Sequence, residues 1–329
     1  MNQAVAYQVP GTCPNTATPA PRPALLDDSM IWTMPGMSVD TIPVRIRYRL
    51  HGPENAPVVV ALGGISANRQ VQCWWHPLYG RQHSLNPERL RILSLDWLDH
   101  GPDATAAIST AGQAGALVAV LDHLGIDRID LLVGASYGAM VGLALAEHYP
   151  DRLQRLVAIS GADRSRPFNT ALRHIQREIL RLGLDTGQHD RAVALARALA
   201  MTTYRPQSLF DQRFRNDEPD QVLDDVAGYL GHVGRCFSDN FDAGRYLRLS
   251  DSLDRHRVDP AGIRCLVDLV AVDSDQLVTP EQVQGLADSL GRPARLHMVS
   301  SPYGHDAFLK EPRIFNRLIG DLIDTEVLT

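Results

Sequence analysis

Asp130-Leu131-Leu132-Val133-Gly134-Ala135-Ser136-Tyr137-Gly138-Ala139-Met140-Val141-Gly142 is the stretch from which the rest of the chain is read. An apolar run enters Gly134-Ala135-Ser136-Tyr137-Gly138. A second apolar run, Ala139 to Tyr149, follows and stops at Pro150. Strand, tight turn and helix together lift a serine hydroxyl above the edge of a sheet. Glycine is needed at 134 and 138 because a Cβ there would collide with the adjacent strand or helix. The turn also aims the positive end of the following helix at Ser136. G-x-S-x-G alone is weak, since a plain β-α turn can carry a serine. The strand before it and the helix after it give the pattern its weight.

Length and composition bound the rest. The chain has 329 residues, 44% hydrophobic and 21% charged, enough for one large domain with an inserted subdomain and a full core. A net charge of −6 argues against nucleic acid or an anionic membrane as the main partner. No apolar run is long enough to span a bilayer. Met1 to Asp28 is rich in Pro, Ala and Thr, with Arg22 as its one basic residue, and lacks the pattern of a secretory signal. Residues 1–35 are therefore expected to be a poorly ordered leader. Cys13, Cys73, Cys236 and Cys265 are scattered, with no C-x-x-C, which fits free thiols in a reducing cytoplasm. No metal site is expected.

Working outward from the serine, 43–51 alternates apolar and basic residues and reads as a half-exposed strand. Residues 57–62, 91–95, 129–133 and 153–159 read as buried strands, and 112–124 as a helix ended by Gly125. Apolar strands alternating with helices predict a parallel sheet covered on both faces. The rhythm breaks from Arg166 to about Asp254. There the best helices are 170–182, 189–201 and 217–233. Strands resume at 265–272 and 296–299, with a helix at 280–290 between. The expected layout is a core of 36–165 and 256–329 with a helical lid, 166–255, over the sheet's carboxyl edge.

A serine needs a base, usually a histidine oriented by a carboxylate. In a strand–Ser–helix fold of this kind they follow in the order Ser, acid, His. After strand 265–272 come Asp273-Ser274-Asp275-Gln276-Leu277-Val278-Thr279-Pro280, and after strand 296–299 come Ser300-Ser301-Pro302-Tyr303-Gly304-His305-Asp306. His305 is preferred to His297 because it follows a strand rather than lying within one. Asp275 is preferred to Asp273 because it stands two residues before Leu277 and starts the turn ahead of Pro280. A solvated turn is the plain alternative for either aspartate. An oxyanion would need two backbone N–H groups. Tyr137 should supply one, and the Gly63-Gly64-Ile65 loop the other.

Several segments together resemble the homoserine O-acyltransferases of the α/β-hydrolase superfamily. They are Leu62-Gly63-Gly64-Ile65-Ser66-Ala67, Trp74-Trp75, Gly134 to Gly138, Thr203-Tyr204-Arg205, Phe241-Asp242-Ala243-Gly244-Arg245-Tyr246-Leu247, Ser274-Asp275-x-Leu277 and Gly304-His305-Asp306-Ala307-Phe308-Leu309. The resemblance covers most of the chain from Val44 onward. It implies an α/β-hydrolase fold, a mostly parallel sheet with a helical lid insertion. It also implies ping-pong acyl transfer from an acyl-CoA co-substrate to homoserine, no bound cofactor, methionine biosynthesis, and a homodimer made through the lid. Asp306 would hold the acceptor's ammonium, and Arg205 its carboxylate. Ile175, Ile179, Leu180, Val193, Leu195 and Leu199 add apolar surface to the lid beyond what a free lid needs.

The departures are Tyr137 where the family has Met, Ala139 in place of a second glycine, and Leu78-Tyr79-Gly80-Arg81-Gln82-His83 after the tryptophan pair. They bear on donor and acceptor. Gly-Gly-Ile-Ser-Ala and Ser-Tyr-Gly look more like the succinyl-using branch, which favours succinyl over acetyl. L-serine as acceptor, and an esterase or thioesterase with the same triad, are the alternatives. An idle, binding-only version of the fold is disfavoured by Ser136, Asp275 and His305 standing in order.

Overall fold

A computed structural model describes residues 24–33, 43–98 and 108–328. Eight strands form one sheet: β1 (Leu25–Trp32), β2 (Val44–His51), β3 (Val58–Leu62), β4 (Arg91–Leu95), β5 (Ile129–Ala135), β6 (Leu153–Ile159), β7 (Leu266–Val272) and β8 (Arg295–Val299). Their order is β1-β2-β4-β3-β5-β6-β7-β8. The strands from β4 to β8 are parallel, and β1 and β2 pair antiparallel at one edge. All five residues of β3 are buried, as a central parallel strand requires, whereas β2 alternates buried and exposed positions.

The helices are α1 (Val71–Trp74), α2 (Thr110–His123), α3 (Tyr137–His148), α4 (Pro167–Asp185), α5 (His189–Tyr204), α6 (Gln207–Arg213), α7 (Pro219–Ser238), α8 (Ala243–Asp254), α9 (Pro280–Ser289), α10 (Ala307–Lys310) and α11 (Pro312–Glu326). Two buried clusters lie on the two faces of the sheet. One joins α2 and α3 to the lid, and the other holds Trp74, Trp75, Phe308 and Phe315. Helices α4 to α8 all fall between β6 and β7, so the insertion is helical and the sheet is mostly parallel, as expected.

Two expectations are corrected. Residues 25–32 are not part of a disordered leader. They form β1, in register with β2 from Leu25–His51 to Trp32–Val44. Burial holds this edge strand only in part: Leu25, Leu26 and Ile31 stay exposed, while Met30 and Trp32 pack against the core. Ladder hydrogen bonds add to it, together with Asp27, which pairs with Arg49 and, at 2.7 Å, with Arg69. The rest of the expected leader lies outside the described residues, apart from Ala24 and Thr33. Cysteine pairing is the second correction. Cys236 and Cys265 are free, but Cys73 is disulfide-bonded. Spacing alone held no sign of that. Among the described residues no helix is long and apolar enough to cross a membrane.

Candidate active site

β5 ends at Ala135, and Ser136 then takes φ 55° and ψ −115°. That backbone costs a non-glycine residue about 1–3 kcal/mol. The surroundings enforce it. A Cβ on Gly134 would stand 2.4 Å from Gly138 O, and one on Gly138 would stand 2.4 Å from Leu62 O. Ser136 N–H donates to Ile159 O at 2.8 Å, and Gly138 N–H donates to Gly63 O at 2.9 Å. The hydroxyl is thus carried past the sheet edge onto the N-terminus of α3, where the first backbone N–H groups have no intrahelical acceptor.

Ser136 Oγ lies 2.8 Å from His305 Nε2, and His305 Nδ1 lies 2.7 Å from Asp275 Oδ2. The other oxygen of Asp275 accepts N–H bonds from Leu277 at 2.9 Å and Val278 at 3.1 Å, which fixes the carboxylate. Burial works against a charged His305. The charges of Asp275 and Asp306 outweigh it, and the imidazole pKa stands above its ordinary value. The rival residues have other work. Asp273 accepts from Ser300 Oγ at 2.7 Å and from Ser301 N at 3.1 Å, tying β7 to β8. His297 Nε2 meets Asp268 at 2.9 Å, and Asp268 also holds buried Arg155 at 2.5 Å.

The loop after β3 is fixed by its peptide groups. Gly63 O is held by Gly138 N–H, while Gly64 O accepts from Ala67 N–H and, at 2.9 Å, from Trp97 Nε1–H. A trans peptide points its N–H opposite its C=O. Gly64 N–H therefore points away from the elbow, and Ile65 N–H points away from Trp97. Gly64 and Ile65 line the cavity at Ser136, whereas Gly63 is not among its walls. A Cβ on Gly63 would lie 2.6 Å from Ala67 Cβ, so this glycine allows close packing. The Tyr137 ring turns away from the site. It packs edge-on to Trp97 at 4.9 Å, and its hydroxyl meets Ser252 Oγ at 2.7 Å. Burial pushes the phenol up to about 12, so it stays neutral.

Ser136 and His305 sit where two cavities meet, with Ile65, Tyr204 and Leu253 also common to both. The larger is walled by Trp74, Pro77, Phe308 and Leu309 and carries Asp306, Arg197 and Lys310. The smaller runs under the lid past Asn169, Arg173 and Gln176. Asp306 is thus in the cavity wall beside His305. Arg205 is in neither wall. It is buried behind Asp306, with Nε 3.0 Å from Oδ2. The role expected of Arg205, gripping a substrate carboxylate, does not fit that position.

The arginine in the wall of the larger cavity is Arg197, buried on α5 against the rings of Tyr204 (5.1 Å) and Phe237 (4.6 Å). Arg197 is not among the residues picked out from sequence, and Tyr204 stands there only within the segment Thr203-Tyr204-Arg205. Their spacing of two helical turns on one face was the available signal. Gly304 has φ 57°, and a Cβ on it would lie 2.7 Å from Tyr204 O, so glycine lets the end of α5 dock on the histidine loop.

Comparison with known proteins fits this geometry. The alpha/beta hydrolase fold family profile matches residues 57–312. The homoserine O-succinyltransferase of Xanthomonas campestris pv. campestris is 39% identical over 319 residues, covering 92% of this chain and 86% of that protein. This chain belongs to the homoserine O-acyltransferase family. A second member, the homoserine O-acetyltransferase of Moorella thermoacetica, is 29% identical, with 83% of this chain and 87% of the relative covered. Among solved structures, the homoserine O-acetyltransferase of Bacillus anthracis superposes with a TM-score of 0.81 at 14% identity, covering 92% and 98% of the two chains. Esterase E22 follows at 0.79 and 16%, covering 91% and 99%. At such identities these structures show the shared fold. As a homoserine O-acyltransferase family member, the chain is an enzyme.

Proposed function

We propose that this enzyme moves a succinyl group from succinyl-CoA to the hydroxyl of L-homoserine through an acyl-Ser136 intermediate. The observation that carries the reading is the Ser136–His305–Asp275 hydrogen-bond chain, opening on a cavity that holds both Asp306 and Arg197. In the first half-reaction Ser136 Oγ attacks the thioester carbonyl while His305 Nε2 takes its proton. The oxyanion is held by the N–H groups of Tyr137 and Ile65. Collapse expels CoA, which leaves as a thiol with the proton from His305.

Homoserine then enters, with its ammonium facing Asp306 and its carboxylate facing Arg197. His305 accepts its hydroxyl proton as the oxygen attacks acyl-Ser136. The second collapse releases O-succinylhomoserine and returns the proton to Ser136. Asp275 keeps Nδ1 protonated throughout, so Nε2 remains the acceptor. A generic esterase has no use for a buried cation and an anion flanking its histidine.

The name of the Xanthomonas relative supports succinyl as the acyl group. Acyl-CoA donors are intracellular, which supports a cytoplasmic enzyme, and O-acylhomoserine is a precursor for methionine biosynthesis. Ile175, Leu182 and Leu195 leave apolar side chains exposed on α4 and α5, which supports a homodimer through the lid. A monomer by sedimentation at micromolar concentration would exclude that assembly.

The test of the function is CoA release from succinyl-CoA and acetyl-CoA, with and without homoserine or serine. Release that depends on homoserine and is faster with succinyl-CoA is expected. Steady release that ignores any acceptor would make the protein a thioesterase.

A further inference from the structure

Helix α4 turns one face toward the smaller cavity. Asn169, Arg173 and Gln176, spaced by four and three residues, all line it. That face is held by its neighbours. Asn169 Nδ2–H donates to Leu277 O at 2.7 Å, in the turn that carries Asp275. Arg173 Nε–H donates to one oxygen of Asp254 at 2.7 Å, and Arg177 Nη1–H donates to the other at 2.6 Å. Arg173 also donates to Ser165 Oγ. Gln176 differs from these. It is only 5% exposed, yet its amide makes no hydrogen bond with any described residue. Buried polar groups nearly always have a partner. An open amide on a cavity wall, carried by a helix that is fixed on either side of it, is set for a ligand.

The chemistry at Ser136 narrows the choice of ligand. The bound carbonyl carries two substituents, the acyl chain and the leaving thiol. The thiol leaves, and the acceptor hydroxyl arrives, on the side where His305 Nε2 handles the proton. The acceptor's charged ends are matched by Asp306 and Arg197, both in the larger cavity. The acyl chain is then left to the smaller one. The walls agree with this division. Asp306 would repel an acyl carboxylate in the larger cavity. In the smaller one, no aspartate or glutamate is found among the described lining residues. Besides His305, its charged residues are Arg164, paired with Asp163, and Arg173, which shares Asp254 with Arg177. The charge of Arg173 reaches His305, where it opposes protonation. An anion at the end of the acyl chain meets a favourable potential there and still needs a hydrogen-bond donor, because a carboxylate stripped of water is costly unless it is bonded.

We propose that the smaller cavity is the acyl pocket, and that the Gln176 amide donates a hydrogen bond to the distal carboxylate of the succinyl group and so selects the acyl donor. The inference rests on the reading above that succinyl-CoA is the donor and that the acceptor lies between Asp306 and Arg197. An acetyl group ends in a methyl and offers the amide nothing to bind.

The test is kcat/KM for succinyl-CoA, butyryl-CoA and acetyl-CoA at saturating homoserine, in the wild type, Gln176→Leu and Gln176→Glu. The wild type should favour succinyl-CoA. Gln176→Leu keeps the bulk of the side chain and removes the donor, and should lower the succinyl-to-acetyl ratio by about 10-fold. Gln176→Glu sets a carboxylate against the ligand's own and should lower it by about 100-fold or more. The succinyl-to-butyryl ratio should fall in step, since butyryl has nearly the same length without the charge. These ratios do not depend on how much of each variant has folded. An unchanged succinyl-to-acetyl ratio in both variants overturns the inference. So does an equal fall with succinyl and butyryl, which would mean that Gln176 only shapes the pocket. A raised KM for homoserine with an unchanged donor ratio would place the acceptor in the smaller cavity and overturn it as well. Preference of the wild type for acetyl-CoA is a separate failure, visible before any variant is made. It would remove the succinyl reading and this inference with it.

Discussion

A serine hydroxyl is a poor nucleophile at neutral pH, and the 2.8 Å contact of Ser136 Oγ with His305 Nε2 supplies the base it needs. That base works only when neutral. Because Asp275 and Asp306 lift the His305 pKa despite its burial, acylation should rise with pH through a midpoint above the ordinary histidine value of about 6.5. The pH profile of kcat/KM for the acyl donor measures this, and a midpoint at or below that ordinary value would contradict it. Asp306 contributes a second, separable effect. Asp306→Asn keeps the shape of the side chain but removes the charge that faces the acceptor's ammonium. Discharge of the acyl-enzyme by homoserine should then slow by about 100-fold or more, while acylation by the donor stays within a few-fold. The two half-reactions can be measured apart by rapid mixing. A parallel fall in both would mean that Asp306 acts only through His305 or through the buried Arg205 it pairs with.

At the scale of elements, the site depends on three connections: the elbow between β5 and α3, the turn after β7, and the loop after β8 against the end of α5. The last rests on Gly304. A methyl group there would sit 2.7 Å from Tyr204 O and 2.8 Å from Pro206 Cδ, on a backbone with φ 57°. Gly304→Ala should therefore cost about 3 kcal/mol of stability and lower activity further than it lowers the folded fraction, because the same loop carries His305. Chemical denaturation and assay of the one variant check both effects. Loss of neither would mean that the lid and the histidine loop are not tightly joined.

These connections differ in how legible they were. Ser136, Asp275 and His305 each follow a strand, so order along the chain brought them forward, while the turn ahead of Pro280 separated Asp275 from Asp273 and the place after β8 separated His305 from His297. Arg197 was hidden because a buried cation in a helix looks like any surface arginine until Tyr204 and Phe237 are seen to cover it. Helix α8 did carry a signal, since Tyr246, Leu249 and Leu253 recur at helical spacing on its buried face and Asp242 accepts from Arg245 N–H at 2.8 Å at its start. β1 is harder to read. Much of its hold comes from the ladder to β2, and only Met30 and Trp32 pack against the core, too few to set a pattern.

For the whole molecule, a sheet covered on both faces fixes the nucleophile, and a five-helix insertion supplies α5 and α8 as the roof of the site. The fold is shared with esterases such as E22, so it does not by itself separate transfer from hydrolysis. What separates them is whether acyl-Ser136 survives in the presence of water until an amino-acid alcohol arrives. That makes the lifetime of the acyl-enzyme the central quantity. The most direct measurement is intact-protein mass spectrometry after rapid mixing with succinyl-CoA in the absence of any acceptor. A covalent succinyl adduct should form with one equivalent of CoA released, map to Ser136, persist, and vanish on addition of homoserine. Ser136→Ala should show no adduct and should lose turnover by ~10⁴-fold or more. An enzyme that turns over succinyl-CoA and homoserine with no adduct on Ser136, or one whose adduct decays equally fast without homoserine, would contradict the account.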